Sequence, residues 1–303
     1  YVGITSGATG NGRKAFFCMD NRPIGVFDSG IGGLPVLYKL AKAFPNEDFL
    51  YLGDNRNVPY GTRSEREIKR LSEGNLRELV SLGVKIIVVA CNTVSACIGD
   101  DFSGRRIFKI GINQNNREKF VGKGAFLGTP FTVGEILKRS PELKANIDFY
   151  PLKDLAGEIE KEPFSDDEVF KHRFAEILAE SFFATKENNF APFMDIAEHK
   201  KDKNERKEVF HDRARVFRDH FEKQIARYDF LYLGCTHYLF KEKVIKSLFG
   251  DIKCYSGIPS LIENINFYLE NNGIFGENLQ TIDFAGECAR KNADTFAGYV
   301  LSV

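Results

Sequence analysis

Two short runs place a thiol beside groups that hold or move protons: Cys91-Asn92-Thr93 and Cys235-Thr236-His237. Each closes an apolar stretch, Ile86-Ile87-Val88-Val89-Ala90 in one case and Phe230-Leu231-Tyr232-Leu233-Gly234 in the other, so both cysteines stand at strand ends. Three chemistries suit such residues. Cys235 with His237 has the make-up of a nucleophile and its base, and two residues apart in an extended segment their side chains point to one side. Cys91, Cys235 and His237 as metal ligands form only a scattered set, short of the four that a closed zinc site wants, so no metal is expected. The third chemistry is proton transfer at carbon, with one thiol acting as base on one face and the other as acid on the opposite face. Unlike the nucleophile reading, this third use gives a task to both cysteines.

Other reactive types cluster at further strand ends. Asp28-Ser29 opens the turn Asp28-Ser29-Gly30-Ile31-Gly32-Gly33, Asp54 and the turn Pro59-Tyr60-Gly61 follow a second apolar run, and Thr129-Pro130-Phe131-Thr132 follows another. The glycine-rich turn departs from the dinucleotide fingerprint, because Pro35 stands where its third glycine belongs, and no G-K-[ST] run exists to serve as a phosphate loop. Cys97, Cys254 and Cys288 lack comparable polar company and no C-x-x-C pair occurs, so the thiols read as reduced and these three cysteines as packing.

The elements that must carry these residues alternate. Ile24–Phe27 reads as a buried strand, Leu34–Phe44 as a helix, Asp48–Leu52 as a strand, Ser64–Leu82 as a helix and Lys85–Val89 as a strand. The rhythm resumes at Gly124–Pro130 and at Asp229–His237. Repeated strand–helix units predict an α/β protein with mainly parallel sheets, in which ligands bind beyond the carboxyl ends of the strands. The likeness of Val-Val-Ala-Cys-Asn-Thr to Tyr-Leu-Gly-Cys-Thr-His suggests two similar α/β lobes, each around a central sheet, with the site in the cleft between them. The expected division is residues 19–112 plus 257–303 for one lobe and 113–256 for the other.

Composition narrows the partners. With 42 basic and 42 acidic side chains the chain has no net attraction for phosphate backbones or anionic lipid, so neither nucleic acid nor a membrane is expected. No run is apolar for long enough to span a bilayer, and the first residues lack the pattern of a secretory signal, which predicts a cytoplasmic protein. Residues 1–18 are rich in Gly, Ser and Thr without periodicity and read as a disordered leader or extension ahead of Met19. Residues 195–227 hold 8 acidic and 10 basic side chains, with Phe210, Ala214, Phe217, Phe221 and Ile225 on one face. That balance predicts an amphipathic helix with a solvated face, part of a charged insertion around 155–227.

The strings Ile24-Gly25-Val26-Phe27-Asp28-Ser29-Gly30-Ile31-Gly32-Gly33, Gly53-Asp54, Val58-Pro59-Tyr60-Gly61, Ala90-Cys91-Asn92-Thr93, Thr129-Pro130-Phe131-Thr132 and Gly234-Cys235-Thr236-His237-Tyr238 together resemble the glutamate racemase family, in its order and over nearly the whole chain from Met19. The resemblance implies interconversion of L- and D-glutamate without a cofactor, pyridoxal phosphate included, supplying D-glutamate for peptidoglycan. It implies Cys91 for the proton of D-glutamate and Cys235 for that of L-glutamate, with Asp28 and His237 assisting. Asp28, Ser29, Pro59, Tyr60, Gly61, Asn92, Thr93, Thr129, Thr132 and Thr236 match positions that surround the substrate, and a homodimer is compatible with the family.

Departures from the family pattern fall elsewhere. Gly111-Ile112-Asn113-Gln114-Asn115-Asn116 replaces a usual Gly-Val-x-Glu-Pro-Gly, and Tyr150-Pro151 replaces a usual Cys-Pro, after which Glu158 aligns with a glutamate often found there. Other readings are a racemase of another acidic amino acid such as aspartate, a cysteine hydrolase using Cys235 and His237, and a racemase-like scaffold serving as a binding or regulatory protein.

Overall fold

Short apolar strands followed by amphipathic helices build two separate sheets. The computed structural model describes residues 4–8, 14–112, 120–185, 227–250, 252–277 and 279–303. Strands β1 (Ile4–Ala8) and β2 (Lys14–Cys18) pair antiparallel as a sheet of their own. Part of the leader is thus paired, where its sequence carries no strand periodicity. Next come β3 (Ile24–Asp28), α1 (Leu34–Ala43), β4 (Phe49–Gly53), α2 (Glu65–Ser81), β5 (Ile86–Val89), α3 (Asn92–Ser95), β6 (Asp101–Phe102) and β7 (Arg105–Lys109). They are followed by β8 (Gly124–Gly128), α4 (Pro130–Arg139), β9 (Ile147–Pro151), α5 (Leu155–Lys161), α6 (Asp167–Thr185), β10 (Phe230–Gly234), α7 (Glu242–Leu248), β11 (Lys253–Tyr255), α8 (Ile258–Asn272), β12 (Ile282–Ala285) and α9 (Ala289–Ser302).

The first lobe carries a six-stranded sheet in the order β12-β4-β3-β5-β7-β6, parallel except at the β6 edge. The second carries an all-parallel sheet in the order β11-β10-β8-β9. Parallel strands covered on both faces must be apolar throughout. Every residue of β3, β5, β8 and β10 is buried. The charged helix expected at 195–227 lies, all but its last residue, outside the described residues. No helix among the described residues is long and apolar enough to cross a membrane.

Local chemistry fixes the helix boundaries. Ser64 stands ahead of α2 and its hydroxyl accepts the Glu67 amide at 3.3 Å, occupying an amide that the helix itself leaves unpaired. The buried positions Ile68, Ser72, Leu76 and Leu79 then recur every three or four residues, which presents one stripe to the sheet. Thr129 does the same for α4, accepting the Thr132 amide at 3.4 Å, with Pro130 as its first residue.

Register decides what the loops can reach. Phe27 pairs with both Leu52 and Val89, so β3, β4 and β5 end level, and the chain leaves them at Asp28, Gly53 and Ala90. Gly128 likewise stands beside Gly234 and Pro151. All six ends are carboxyl ends, the edge where loops and helix amino termini gather in such sheets.

Candidate active site

Each cysteine sits at the turn from a strand into a helical segment: Cys91 between β5 and α3, Cys235 between β10 and a short 3-10 turn at Thr236–Lys241. Both are buried, and both line one small cavity with Ser29, Val58, Pro59, Tyr60, Gly61, Asn92, Thr93, Thr129, Ala156, Thr236 and His237. The cavity measures about 10 Å³, close to the least that one water needs. It contains no Lys or Arg, so the donors aimed into it are hydroxyls, amides and the His237 ring.

The two thiols have different company. Cys91 Sγ lies 3.4 Å from Ser29 Oγ. Burial and the nearby Asp28 carboxylate push this thiol up to about 12, the Ser29 contact only partly opposing them. Ionising it at neutral pH therefore costs about 7 kcal/mol, and Cys91 rests protonated. Cys235 Sγ lies 3.9 Å from His237 Nδ1. Burial alone would strip His237 of its charge, but its contacts with Cys235 and Glu160 outweigh that and raise it well above an ordinary imidazole.

Asp28 comes to the site without facing its cavity. Its Oδ1 accepts the Gly30 amide at 2.9 Å and its Oδ2 accepts the Thr236 hydroxyl at 3.1 Å. Full burial lifts its carboxyl to about 6 despite the neighbouring His237 charge. Thr132 also stays outside the small cavity. Its hydroxyl joins those of Thr129 and Thr93 in a triangle with edges of 2.9, 3.0 and 3.3 Å, and it lines a larger neighbouring cavity of about 370 Å³. The Tyr60 hydroxyl donates to Asp54 at 2.6 Å.

Glu160 is the residue that sequence reasoning missed. The side chain that the family pattern singles out, Glu158, lies at the surface 3.7 Å from Arg173. Two residues on, across a helix that turns 100° per residue, Glu160 projects to the opposite side. It is buried, with Oε2 3.0 Å from His237 Nε2 and accepting the Ile31 amide at 2.8 Å, while Oε1 accepts from Asn55 Nδ2 at 2.7 Å. Burial opposes its charge, yet the hydrogen bond and charge of His237, with the Ile31 and Asn55 donors, hold its carboxyl at about 2. Val58 and Ala156 were missed for a simpler reason, since apolar lining carries no signal.

The glycine-rich turn now has a physical purpose. A Cβ on Gly30 would collide with the Glu160 carboxylate, and one on Gly32 with the His237 ring and the Thr236 hydroxyl. The turn lacks side chains where the second lobe's groups must come close. Gly32→Ala is expected to leave folding largely intact, because the obstacle is a side chain in a cavity wall, and to lower any turnover that depends on His237 by at least roughly ten-fold by displacing that ring. Comparison of turnover with thermal unfolding checks this, and equal loss of both would place the glycine in folding alone. Among the described residues, no group of three or more His, Cys, Asp or Glu side chains is arranged to hold a metal ion.

Comparison with known proteins places the whole chain. No family model matches the chain. Glutamate racemase of Lactobacillus johnsonii is 31% identical over 273 residues, covering 86% of this chain and 85% of the relative. Glutamate racemase 2 of Caldanaerobacter subterraneus subsp. tengcongensis is 30% identical over 258 residues, covering 84% of each. The chain belongs to the glutamate racemase family. Among solved structures, glutamate racemase of Thermus thermophilus superposes with a TM-score of 0.62 at 25% identity, over 90% of this chain and 92% of that one. The RacE1 glutamate racemase of Bacillus anthracis, at 22% identity and a TM-score of 0.64 over 93% of this chain and 94% of its own, shares the fold of two α/β lobes. A member of this family is an amino-acid racemase, an isomerase.

Proposed function

We propose that the protein interconverts L- and D-glutamate by two-base proton transfer at the α-carbon without a cofactor, Cys91 serving the proton of D-glutamate and Cys235 that of L-glutamate. The observation that supports this most directly is two buried thiols, one from each sheet, lining the same cavity with different polar partners. A carbon acid attacked from one face and reprotonated on the other needs such a pair. In the resting arrangement Cys91 keeps its proton and His237 is charged beside Cys235, which poises the site to take the proton of L-glutamate at Cys235 and deliver one from Cys91.

The reverse direction needs Cys91 ionised. The substrate ammonium, arriving near the Asp28 carboxylate, offsets the negative charge that holds this thiol protonated. Ser29, Asn92 and Thr93 supply neutral donors to the carboxylate that becomes enolate-like as the α-proton leaves, with Thr236 beside them tied to Asp28. Tyr60, Gly61 and Thr129 also line the cavity and would meet the side-chain carboxylate. A turnover of about 10 per second would correspond to a barrier of about 16 kcal/mol. Since the cavity of about 10 Å³ is too small for any amino acid, the lobes part to admit substrate and close around it. The product, D-glutamate, would serve peptidoglycan synthesis in the cytoplasm, and the division at about 112 and 257 marks where the chain crosses between lobes.

The test is circular-dichroism-monitored racemisation of L- and D-glutamate by the purified protein without added cofactor, run in deuterium oxide with mass spectrometry of the product. Loss of optical activity from both enantiomers, with solvent deuterium at the α-carbon, is the expected result. Exchange with aspartate alone would move the substrate to the shorter acid. No exchange with either would leave a scaffold without the activity.

A further inference from the structure

Glu160 crosses from α5 to the first lobe and meets a second cation there. Lys291, in the first turn of α9, donates from Nζ to Glu160 Oε1 at 3.1 Å. The four groups around this carboxylate are therefore Ile31 N and His237 Nε2 on Oε2, and Asn55 Nδ2 and Lys291 Nζ on Oε1. Three of them belong to the first lobe and one to the second. The Glu160 side chain is 5% exposed and that of Lys291 51%, so the lysine reaches in from solvent behind a buried acid.

This geometry has an electrical consequence. One negative charge faces two positive ones, one on each oxygen, and the Lys291 ammonium both weakens this carboxylate as an acceptor and repels the His237 imidazolium. The remaining charged and titratable groups facing this pair are Cys235 beside His237, and Asp28 and Tyr51 from the first sheet, with the Tyr51 hydroxyl donating to the Gly30 carbonyl at 2.6 Å. None of these is a cation. Lys291 is the one described positive side chain in contact with Glu160 besides His237.

We propose that Lys291 is a positioning residue for the Cys235 half of the reaction: it holds the Glu160 carboxylate in place across the lobes and draws off part of its charge, so that His237 can give its proton to Cys235 as well as keep it. The inference rests on the racemase reading for its meaning, though its physical content, a lysine acting on His237 through Glu160, does not need turnover to be seen. The contact joins the lobes.

The test compares Lys291→Met and Lys291→Arg with the parent protein by two readouts. One is the titration of the His237 ring by nitrogen-15 histidine NMR, the resonance identified by its loss in His237→Asn. The other is the pH profile of kcat/KM for glutamate. In Lys291→Met the His237 midpoint is expected to rise by roughly half a pH unit, with the alkaline limb following it. At neutral pH kcat falls about three-fold while KM changes little, since the proton is then harder to release by the same factor. Lys291→Arg restores the parent profile. An unmoved midpoint in Lys291→Met overturns the proposal, as does an arginine variant displaced as far as the methionine one. If the parent protein fails to racemise glutamate, the functional reading falls, whereas the ring titration still decides the role of Lys291.

Discussion

Cys91→Ala and Cys235→Ala are each expected to abolish racemisation, by roughly 10²- to 10⁴-fold or more, while each leaves one half of the chemistry intact. With Cys91 gone, Cys235 can still remove and return the proton of L-glutamate, so L-glutamate should exchange its α-hydrogen with deuterium oxide and stay L. With Cys235 gone, Cys91 should do the same for D-glutamate alone. The asymmetry has to be sought in exchange, because enantiomers are equal in free energy and kcat/KM must be the same in both directions for any variant. Mass spectrometry of each enantiomer after incubation, with optical activity read in parallel, measures both quantities. Full racemisation by either variant would end the two-base scheme, and exchange of both enantiomers by one variant would mean a single base reaching both faces. Burial of both thiols makes the loss large. Among the other groups lining the cavity, the hydroxyls of Ser29, Thr93 and Thr236 are far weaker acids and bases than a thiol at neutral pH.

How much of this could be read from the residues alone follows from what each signal encodes. The strands were legible because a parallel strand covered on both faces must be a continuous apolar run, as Ile86-Ile87-Val88-Val89 is, and the helix at 65–81 because Ser64 and Glu67 mark its start. The thiols were legible because polar neighbours at strand ends make sense only in a cleft. Glu160 was not, because the family pattern draws attention to Glu158, and two positions in a helix exchange a more exposed face for the buried one. Lys291 left no trace in the sequence, its partner standing 131 residues away. Nor could Thr132 be separated from the residues that face the cavity, since a Thr-Pro-Phe-Thr run starts a helix as readily as it binds a ligand, and here its hydroxyl turns toward Thr93 and Thr129. The purpose of the paired glycines was hidden for the same reason as Glu160. A missing Cβ announces a close approach but not what approaches, and only the placement of Glu160 and His237 against Gly30 and Gly32 answers that.

Glu160→Gln should lower turnover by roughly 10²-fold near neutral pH, and its pH profile should move opposite to that of the Lys291 variant. The amide keeps the shape and a hydrogen bond to His237 but removes the charge that offsets its burial. His237, fully enclosed, is then left with Cys235 alone to offset its burial and holds its proton less tightly, so the alkaline limb moves down and the deficit widens as pH rises. Removing the lysine raises the same limb, because it returns charge to the carboxylate. A variant that merely loosened the lobes would shift both profiles the same way or neither, so opposite signs from two neighbours of one carboxylate would identify it as the centre of control. The acid side supplies an independent check. Glu160 titrates at about 2 in the folded protein against about 4.3 in an unfolded chain, so its ionised form contributes stability that is complete above the higher value and is lost as pH falls through the lower one. Denaturant unfolding of the parent should therefore weaken between those two values more steeply than that of Glu160→Gln. Equal acid sensitivity in the two proteins would mean that the carboxylate is not held in its charged form by His237, Ile31 and Asn55, and the control assigned to it at neutral pH would lose its basis.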